Sequence, residues 1–440
     1  MKGYFFTKMK GLYQDLKATE RLDIYLSGEV SDFCRFNKSK VRQVGNVKQA
    51  FAQLHLMSGK KHSFVTVGLS SSNDLDDVAL ASALSTLRSL NRVIPEDPYL
   101  SLEEPFGNID VVEPNNLTEP SDVIDSICSE SSNLDLVGIY TSGSIFRAYS
   151  SSLGVEHWFE TTNFNFDWSL YLRGDKAVKL GYAGSSWDQQ VFLDKLTGAK
   201  AQLKILEKPD HSISPGKYRA YLAPAAVNEV MSLLSWNGFS ERALRNKSSC
   251  FHKMKHEGLT LSSQISFTEK FKGSSSPLFD QTGAVRPDQV SLIAQGAHVQ
   301  GLVSARTAKE FGLKPTGVDC EEGIMAIEMN SGNLDAAHIL KELNTGLYIS
   351  NLWYLNYSDL NNCRITGMTR FASFWVENGE IVAPTGVMRF DDSCYDFFGK
   401  NLCGLTSTQE LFLSNSSYTE RSTDSSLVPG AVVDDFQLTL

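Results

Sequence analysis

No stretch of this 440-residue chain holds the roughly 20 consecutive apolar residues an α-helix needs to cross a bilayer. The start, MKGYFFTKMKGLYQDL, has Lys8 and Lys10 inside its apolar run and makes a poor secretory signal. An excess of positive charge is also missing. With 41 basic against 51 acidic residues the formal charge is −10, which disfavours a phosphate-binding surface and gives nucleic-acid binding no support. Seven cysteines (Cys34, Cys128, Cys250, Cys320, Cys363, Cys394 and Cys403) never take a C-x-x-C spacing, and their number is odd. That pattern predicts reduced thiols and a cytoplasmic protein rather than a disulfide scaffold. There is no G-x-S-x-G elbow, no P-loop and no G-x-G-x-x-G, so the common hydrolase and nucleotide readings lack local support. No fixed-period repeat is visible.

What the chain does have is the composition of a folded globular protein, 42% apolar and 10% aromatic. Its length favours two domains over one core. Residues 22–69 alternate in a β-like way between turn residues Gly28, Asn37, Gly45-Asn46 and Ser58-Gly59, which predicts an antiparallel meander. A helix follows from Asp74 to about Asn91, with Leu80, Leu84 and Leu87 on its apolar face. Residues 99–118 read as a proline- and asparagine-rich connector, 119–129 as a helix, and 136–182 as strands with a turn at Gly174-Asp175. Trp187–Leu206 has helical periodicity. The segment from Pro209 to Pro215 is the expected domain boundary, giving domains 1–210 and 211–440. Beyond it come a strand at 217–222, a helix that Pro224 opens at its first turn, and a Gly273–Pro277 segment expected to be mobile. From Val290 onward β-runs dominate, with short helices at 305–311, 333–343 and 391–399. The predicted class is therefore α+β, with an N-terminal antiparallel sheet carrying helices and a C-terminal β-rich, barrel- or sandwich-like domain.

The stretch from Gly346 to Phe398 is the richest in signal. Leu347, Ile349, Leu352 and Tyr354 alternate with polar neighbours, as do Phe371, Phe374 and Val376. Asn378-Gly379 between two runs predicts a tight hairpin, because both central residues of the favoured turn need positive φ. Asp391-Asp392 are expected to cap the 391–399 helix. The runs GLYISNLWYLNY and TGMTRFASFWVENGEIVAPTGVMRFDDS resemble the C-terminal signature of the TldD/PmbA (TldD/TldE) family. The likeness extends to the final VPGAVVDDFQLTL, back to Leu222-Ala223-Pro224, and in order of features to residues 22–98.

Active members of that family carry a helical H-E-x-x-x-H, in which two imidazoles ligate zinc and the glutamate takes a proton from the bound water. The resemblance places Ser235 and Ser240 at the ligand positions and Trp236 at the base position. No histidine lies between His211 and His252. Hydroxyls are weak zinc ligands and an indole accepts no proton, so no catalytic residue and no metal site are expected in this chain. The pair His252 and His256, four apart, is the weak alternative for a metal; flanking Lys253 and Lys255 argue for an exposed charged segment instead. The other histidines are read as structural or surface residues. The Glu321-Glu322 pair reads as a solvated loop.

The aromatic set Trp353, Tyr354, Tyr357, Phe371, Phe374 and Trp375 reads either as core or as an edge that takes up an extended peptide by strand addition, with Met368, Thr369 and Arg370 beside it. The resemblance implies a non-metal-binding TldE/PmbA-type subunit. A TldD-type partner would supply zinc and catalysis in a heterodimer acting on unfolded or leader peptides; a homodimer is also open. The alternative is a peptide- or ligand-binding homologue with no peptidase role. A peptidase with an unrecognised site of its own is a third possibility.

Overall fold

Alternation builds the first sheet as expected, but of the expected turns only Asn37 and Ser58-Gly59 end strands. Gly28 and Gly45-Asn46 lie inside long paired strands, Gly28 leaving room for the Phe146 ring. In the computed structural model, which describes residues 1–101 and 106–440, helix α1 (Lys2–Tyr13) precedes strands β1 (Glu20–Asn37), β2 (Lys40–Ser58) and β3 (Lys61–Gly68). Helix α2 (Asn73–Val93) then leads through β4 (Ile109–Val112) and α3 (Pro120–Glu130) to β5 (Asp135–Ser151), β6 (Glu156–Arg173), β7 (Lys176–Gly184) and α4 (Gln189–Leu206). The order is β3-β2-β1-β5-β6-β4, with β7 also on β6, and every pair is antiparallel except β4 with β6. Part of the connector expected at 99–118, residues 102–105, lies outside the described residues. The helix expected to start at Asp74 starts one residue earlier. Asp76 secures its entry by accepting from Ser70 N at 2.9 Å and Ser71 N at 3.0 Å.

The second half contains β8 (Gly216–Leu222), α5 (Pro224–Leu234), α6 (Glu241–Arg245), α7 (His252–Glu257), β9 (Phe267–Lys270), β10 (Gln289–Ala294), β11 (Ala297–His298), α8 (Ala305–Phe311), β12 (Ala326–Met329) and α9 (Ile339–Leu343). It continues with β13 (Gly346–Ile349), β14 (Leu352–Asp359), β15 (Arg364–Thr369), β16 (Ser373–Glu377), β17 (Glu380–Pro384), β18 (Arg389–Ser393), β19 (Leu402–Leu413) and β20 (Ser425–Leu438). These strands form one branched sheet, β11-β10-β9-β12-β20-β8-β13-β16-β17, to which β14-β15-β18 and β19 attach through β20. Helix α5 packs on β20, β14, β19 and β8. Its Ala226, Val227, Val230, Met231, Leu233 and Leu234 are buried in the largest core, which explains why so apolar a helix is stable here. The architecture is α+β.

The Asn378-Gly379 hairpin joins β16 to β17 with φ of 52° and 79°. A Cβ on residue 379 would also sit 3.2 Å from Lys341 Cα. Gly379→Ala is expected to cost about 1 kcal/mol, read as a lower midpoint in urea at unchanged m-value.

Three local expectations are corrected. Asp391 and Asp392 are not a helix cap but part of β18, paired with Thr366 and Ile365. Asp392 is buried and accepts from Gln437 N at 3.1 Å, so the ladder takes these residues and a single distorted turn follows at Asp396–Lys400. The Gly273–Pro277 segment is tied down: Ser276 is buried and donates to Thr423 O at 3.1 Å. Glu322 is not a solvated loop residue but 1% exposed.

The loop between β19 and β20 straps the two sheets together. Gln49 Nε2 donates to Thr419 O at 2.7 Å, Asn165 Nδ2 to Asn415 Oδ1 at 2.7 Å, and Arg147 Nη2 to Arg421 O at 3.2 Å. From the other side Ala372 and Phe374 enter the aromatic core beneath β6 and α4.

Candidate functional site

A polar cleft runs between the first sheet and helix α5. Three adjoining cavities of about 430, 360 and 60 Å³ share Leu413 on their walls. The middle one is lined by the polar side of α5: Asn228, Glu229, Ser232, Ser235 and Trp236, facing Asn415. Spacings of three and four keep these residues on one helix face while the other face is in the core. Pro224 fixes the first turn, and Ala223 provides an extended entry with ψ of 161°.

The helix stops at Leu234, and the reason is local. Asn237 adopts φ of 60°, and Gly238 N donates to Leu234 O at 3.1 Å. A Cβ on residue 238 would lie 2.1 Å from that same carbonyl oxygen, so only glycine fits the turn. Ser235 is therefore the C-cap residue, its Oγ donating to Ser232 O at 2.6 Å. Trp236, 66% exposed, stands at the cleft rim.

Ser240 is elsewhere. It is fully buried, caps α6 by accepting from Ala243 N at 3.1 Å, and donates to Glu322 Oε2 at 2.6 Å. Glu322 also accepts from Arg242 N at 3.0 Å and Ser304 N at 2.9 Å. Burial alone would raise this carboxyl, but the converging donors win and hold it below its ordinary value. Thus Ser235 and Trp236 reach the cleft and Ser240 supports the fold.

The donor set at the end of α5 does not suit zinc. Ser235 has committed its hydroxyl proton to a carbonyl, Ser240 is sealed on Glu322, and Trp236 has no basic atom. On α7, His252 Nδ1 is 2.9 Å from Ser249 O and His256 Nε2 is 2.9 Å from Leu244 O, so each imidazole donates to the main chain. His252 is buried rather than exposed. Among the described residues no group of three or more His, Cys, Asp and Glu is placed to hold a metal ion.

Glu229 is the titratable group on the cleft face of α5, and sequence reasoning missed it. Burial raises its carboxyl above the ordinary value, with Lys179 opposing. Lys179 is itself paired with Asp167 at 3.0 Å. The missed signal was the 228/229/232/235 spacing, which follows directly from the Pro224 helix start.

At the far end of the cleft, Asn351 O accepts from Arg370 N at 3.0 Å, and the Arg370 guanidinium lies 4.7 Å over the Trp353 ring. The Arg370 Nε is buried with no hydrogen-bond partner among the described residues. Met368 is 38% exposed, whereas Thr369 is buried and accepts from Met388 N at 3.0 Å. The aromatic set divides. Phe374 is core, Trp375 stacks on His211 at 5.0 Å, and Tyr357 donates to Leu233 O at 3.1 Å, while Trp353 and Tyr354 are exposed. Strand β14, which carries these two, pairs with β15 and with no other strand among the described residues. No helix among the described residues is long and apolar enough to cross a membrane.

Comparison with known proteins adds to this geometry. Residues 215–440 match the model of the PmbA/TldA metallopeptidase C-terminal domain. Over 113 residues the chain is 35% identical to the metalloprotease PmbA of Escherichia coli O157:H7. That alignment covers 26% of this chain and 24% of the relative, so only about a quarter of the relative's length is matched. The crystal structure of TldE from Thermococcus kodakarensis superimposes with a TM-score of 0.79 at 14% identity, covering 99% of this chain and 100% of that one. A Thermotoga maritima structure superimposes with a TM-score of 0.78 at 13% identity, again over 99% and 100%. At such identities the structural matches establish the shared fold.

Proposed function

The chain belongs to the PmbA/TldD metallopeptidase family, and from that premise we propose that it is a TldE/PmbA-type subunit with no zinc site of its own. It works beside a TldD-type partner that carries the metal, in a cytoplasmic peptidase acting on unfolded or leader peptides. The observation that carries this reading is the cleft face of α5, where Asn228, Glu229, Ser232, Ser235 and Trp236 offer one carboxylate and no imidazole. The helix break at Asn237-Gly238 adds support, because a ligand pair spaced across residues 235 and 240 would need a helix that this sequence terminates.

In this reading the chain contributes wall and grip rather than chemistry. Edge strand β14 supplies unpaired main-chain groups to an extended peptide, and the Arg370 guanidinium, stacked over the exposed Trp353, holds a carboxylate. Met368 adds apolar contact, and Thr369 positions the strand through Met388. Tagged chain expressed in its own host is expected to recover a partner bearing H-E-x-x-x-H. Repeated recovery of the chain alone or only with itself would favour a binding homologue without a peptidase role.

Substitution separates structural from catalytic hydroxyls. Ser235→Ala with Ser240→Ala is expected to leave peptide cleavage by the complex within a few-fold. It costs roughly 2–4 kcal/mol of stability through the lost α6 cap and the lost hydrogen bond to the buried Glu322. A fall in kcat beyond about a hundredfold, roughly 2.7 kcal/mol of barrier, would assign these hydroxyls to the reaction.

A further inference from the structure

A separate cavity of about 280 Å³ lies between β2, β3 and the segments around α8, and it shares no lining residue with the cleft. Met57, Phe64, Tyr99, Leu100, Pro315 and Val318 give it an apolar and aromatic wall. Its polar groups form a directional chain. Asp97 accepts from His62 Nε2 at 3.3 Å; in the His62 tautomer protonated at Nε2 alone, Nδ1 is the acceptor for His55 Nε2 at 3.0 Å. His55 then carries its proton on Nε2, and its Nδ1 is an acceptor with no partner among the described residues. Burial, with His62 beside it, pushes the His55 imidazole down to about 3, so it brings no positive charge.

The charge of the wall is negative and only partly answered. Arg21 pairs with Asp23 at 2.7 Å, and Arg306 pairs with Asp97. Asp280 and Asp319 remain. Asp280 is 2% exposed; its Oδ1 accepts from Thr282 N, Thr282 Oγ1 and Ala284 N, while its Oδ2 has no hydrogen bond among the described residues. Asp319 accepts from Glu321 N at 3.1 Å. The nearby cation, Arg286, spends its donors on Gly317 O and Pro277 O and lies over the Phe271 ring. Burial raises both carboxyls, with Arg286 opposing.

We propose that this cavity binds a small organic ammonium ion, an arylalkyl amine about the size of tryptamine, its ring on the Phe64 and Tyr99 wall and its N–H donors on His55 Nδ1, Asp280 and Asp319. A volume at the low end for ligand pockets selects a small molecule, and the two carboxylates select a cation over a neutral or anionic body. The Tyr99 ring already carries the Arg306 guanidinium at 5.5 Å and Phe64 stacks on His55 at 4.0 Å, so these rings offer the ligand apolar contact. The site is independent of the peptidase reading.

Calorimetric titration of the full chain at neutral pH tests it. Tryptamine should bind one to one and at least tenfold more tightly than neutral 3-ethylindole, with no binding by indole-3-propionate. Asp319→Asn and His55→Gln, each checked for an unchanged circular dichroism spectrum, should each weaken tryptamine at least tenfold. Absence of saturable binding, equal binding of the three indoles, or indifference to both substitutions would overturn the proposal. Preferential binding of a tetrapeptide with N-terminal tryptophan would also overturn it, since a free amine would then not be the ligand.

Discussion

Arg421→Ala is expected to destabilise the folded protein by roughly 3–5 kcal/mol, because it removes a buried guanidinium whose hydrogen bonds tie three strands to the strap. Arg421 sits in the strap between β19 and β20, 5% exposed. Its guanidinium donates to Ser31 Oγ at 3.3 Å, Gly143 O at 3.4 Å, Asn163 O at 3.1 Å and Asn163 Oδ1. Burial pulls its pKa down to about 10 despite the attraction of Glu29, so the side chain stays charged at neutral pH while bearing a large desolvation cost. Glu29 is 1% exposed and holds its carboxylate with Ser31 Oγ and Gln49 Nε2, both at 2.7 Å. Truncating Arg421 removes its attraction to the buried Glu29 and strips acceptors on β1, β5 and β6 of a donor. Urea unfolding followed by circular dichroism at pH 7 measures the loss. A change below about 1 kcal/mol would mean that water satisfies this interface and that the strap does not join the two sheets.

Glu269→Gln is expected to stabilise the protein, and only above mild acidity. Glu269 on β9 is fully buried; its Oε1 accepts from Met325 N at 2.7 Å and Ala326 N at 2.9 Å, and its Oε2 has no partner among the described residues. Burial, with Asp424 nearby, raises its pKa from 4.5 to about 7 against the pull of those amides and Arg286. Between these two values the folded state binds more protons than the unfolded chain. This carboxyl therefore contributes its full stability below pH 4.5, loses it as pH rises toward 7, and contributes no further change above that. The loss amounts to roughly 3 kcal/mol. Glutamine keeps the Oε1 acceptor and cannot ionise, so the variant should match the parent near pH 4.5 and exceed it by about that amount at pH 8. Equal stability at both pH values would show that Glu269 titrates normally and that its site is wetter than described.

Much of the fold was legible because short-range chemistry and long-range packing agree. Alternation in residues 22–69, the Pro224 start and the Asn378-Gly379 turn each carry a signal contained within a few residues. The misreadings arose where distant partners decide. Asp391-Asp392 look like a cap in isolation, but β15 and β20 claim them as a strand. Glu322 looks solvated until Ser240, Arg242 and Ser304 converge on it from 18 to 82 residues away. Asn237-Gly238 was readable, being the same dipeptide as at 378–379, and it marks where α5 must stop. The cleft itself was not readable, because its walls come from β6, β7, α5 and both strands flanking the strap. The His55–His62–Asp97 chain was equally hidden, since isolated histidines in sequence give no sign of meeting across β2 and β3.

The central claim is that this family member lacks the means to hold the hydrolytic metal. Zinc analysis of the purified chain, paired with a peptide-cleavage assay with and without chelator, tests it most directly. The account predicts well under one zinc per chain and no cleavage until a zinc-bearing partner is added. One tightly held zinc per isolated chain, with cleavage that chelation abolishes, would contradict it.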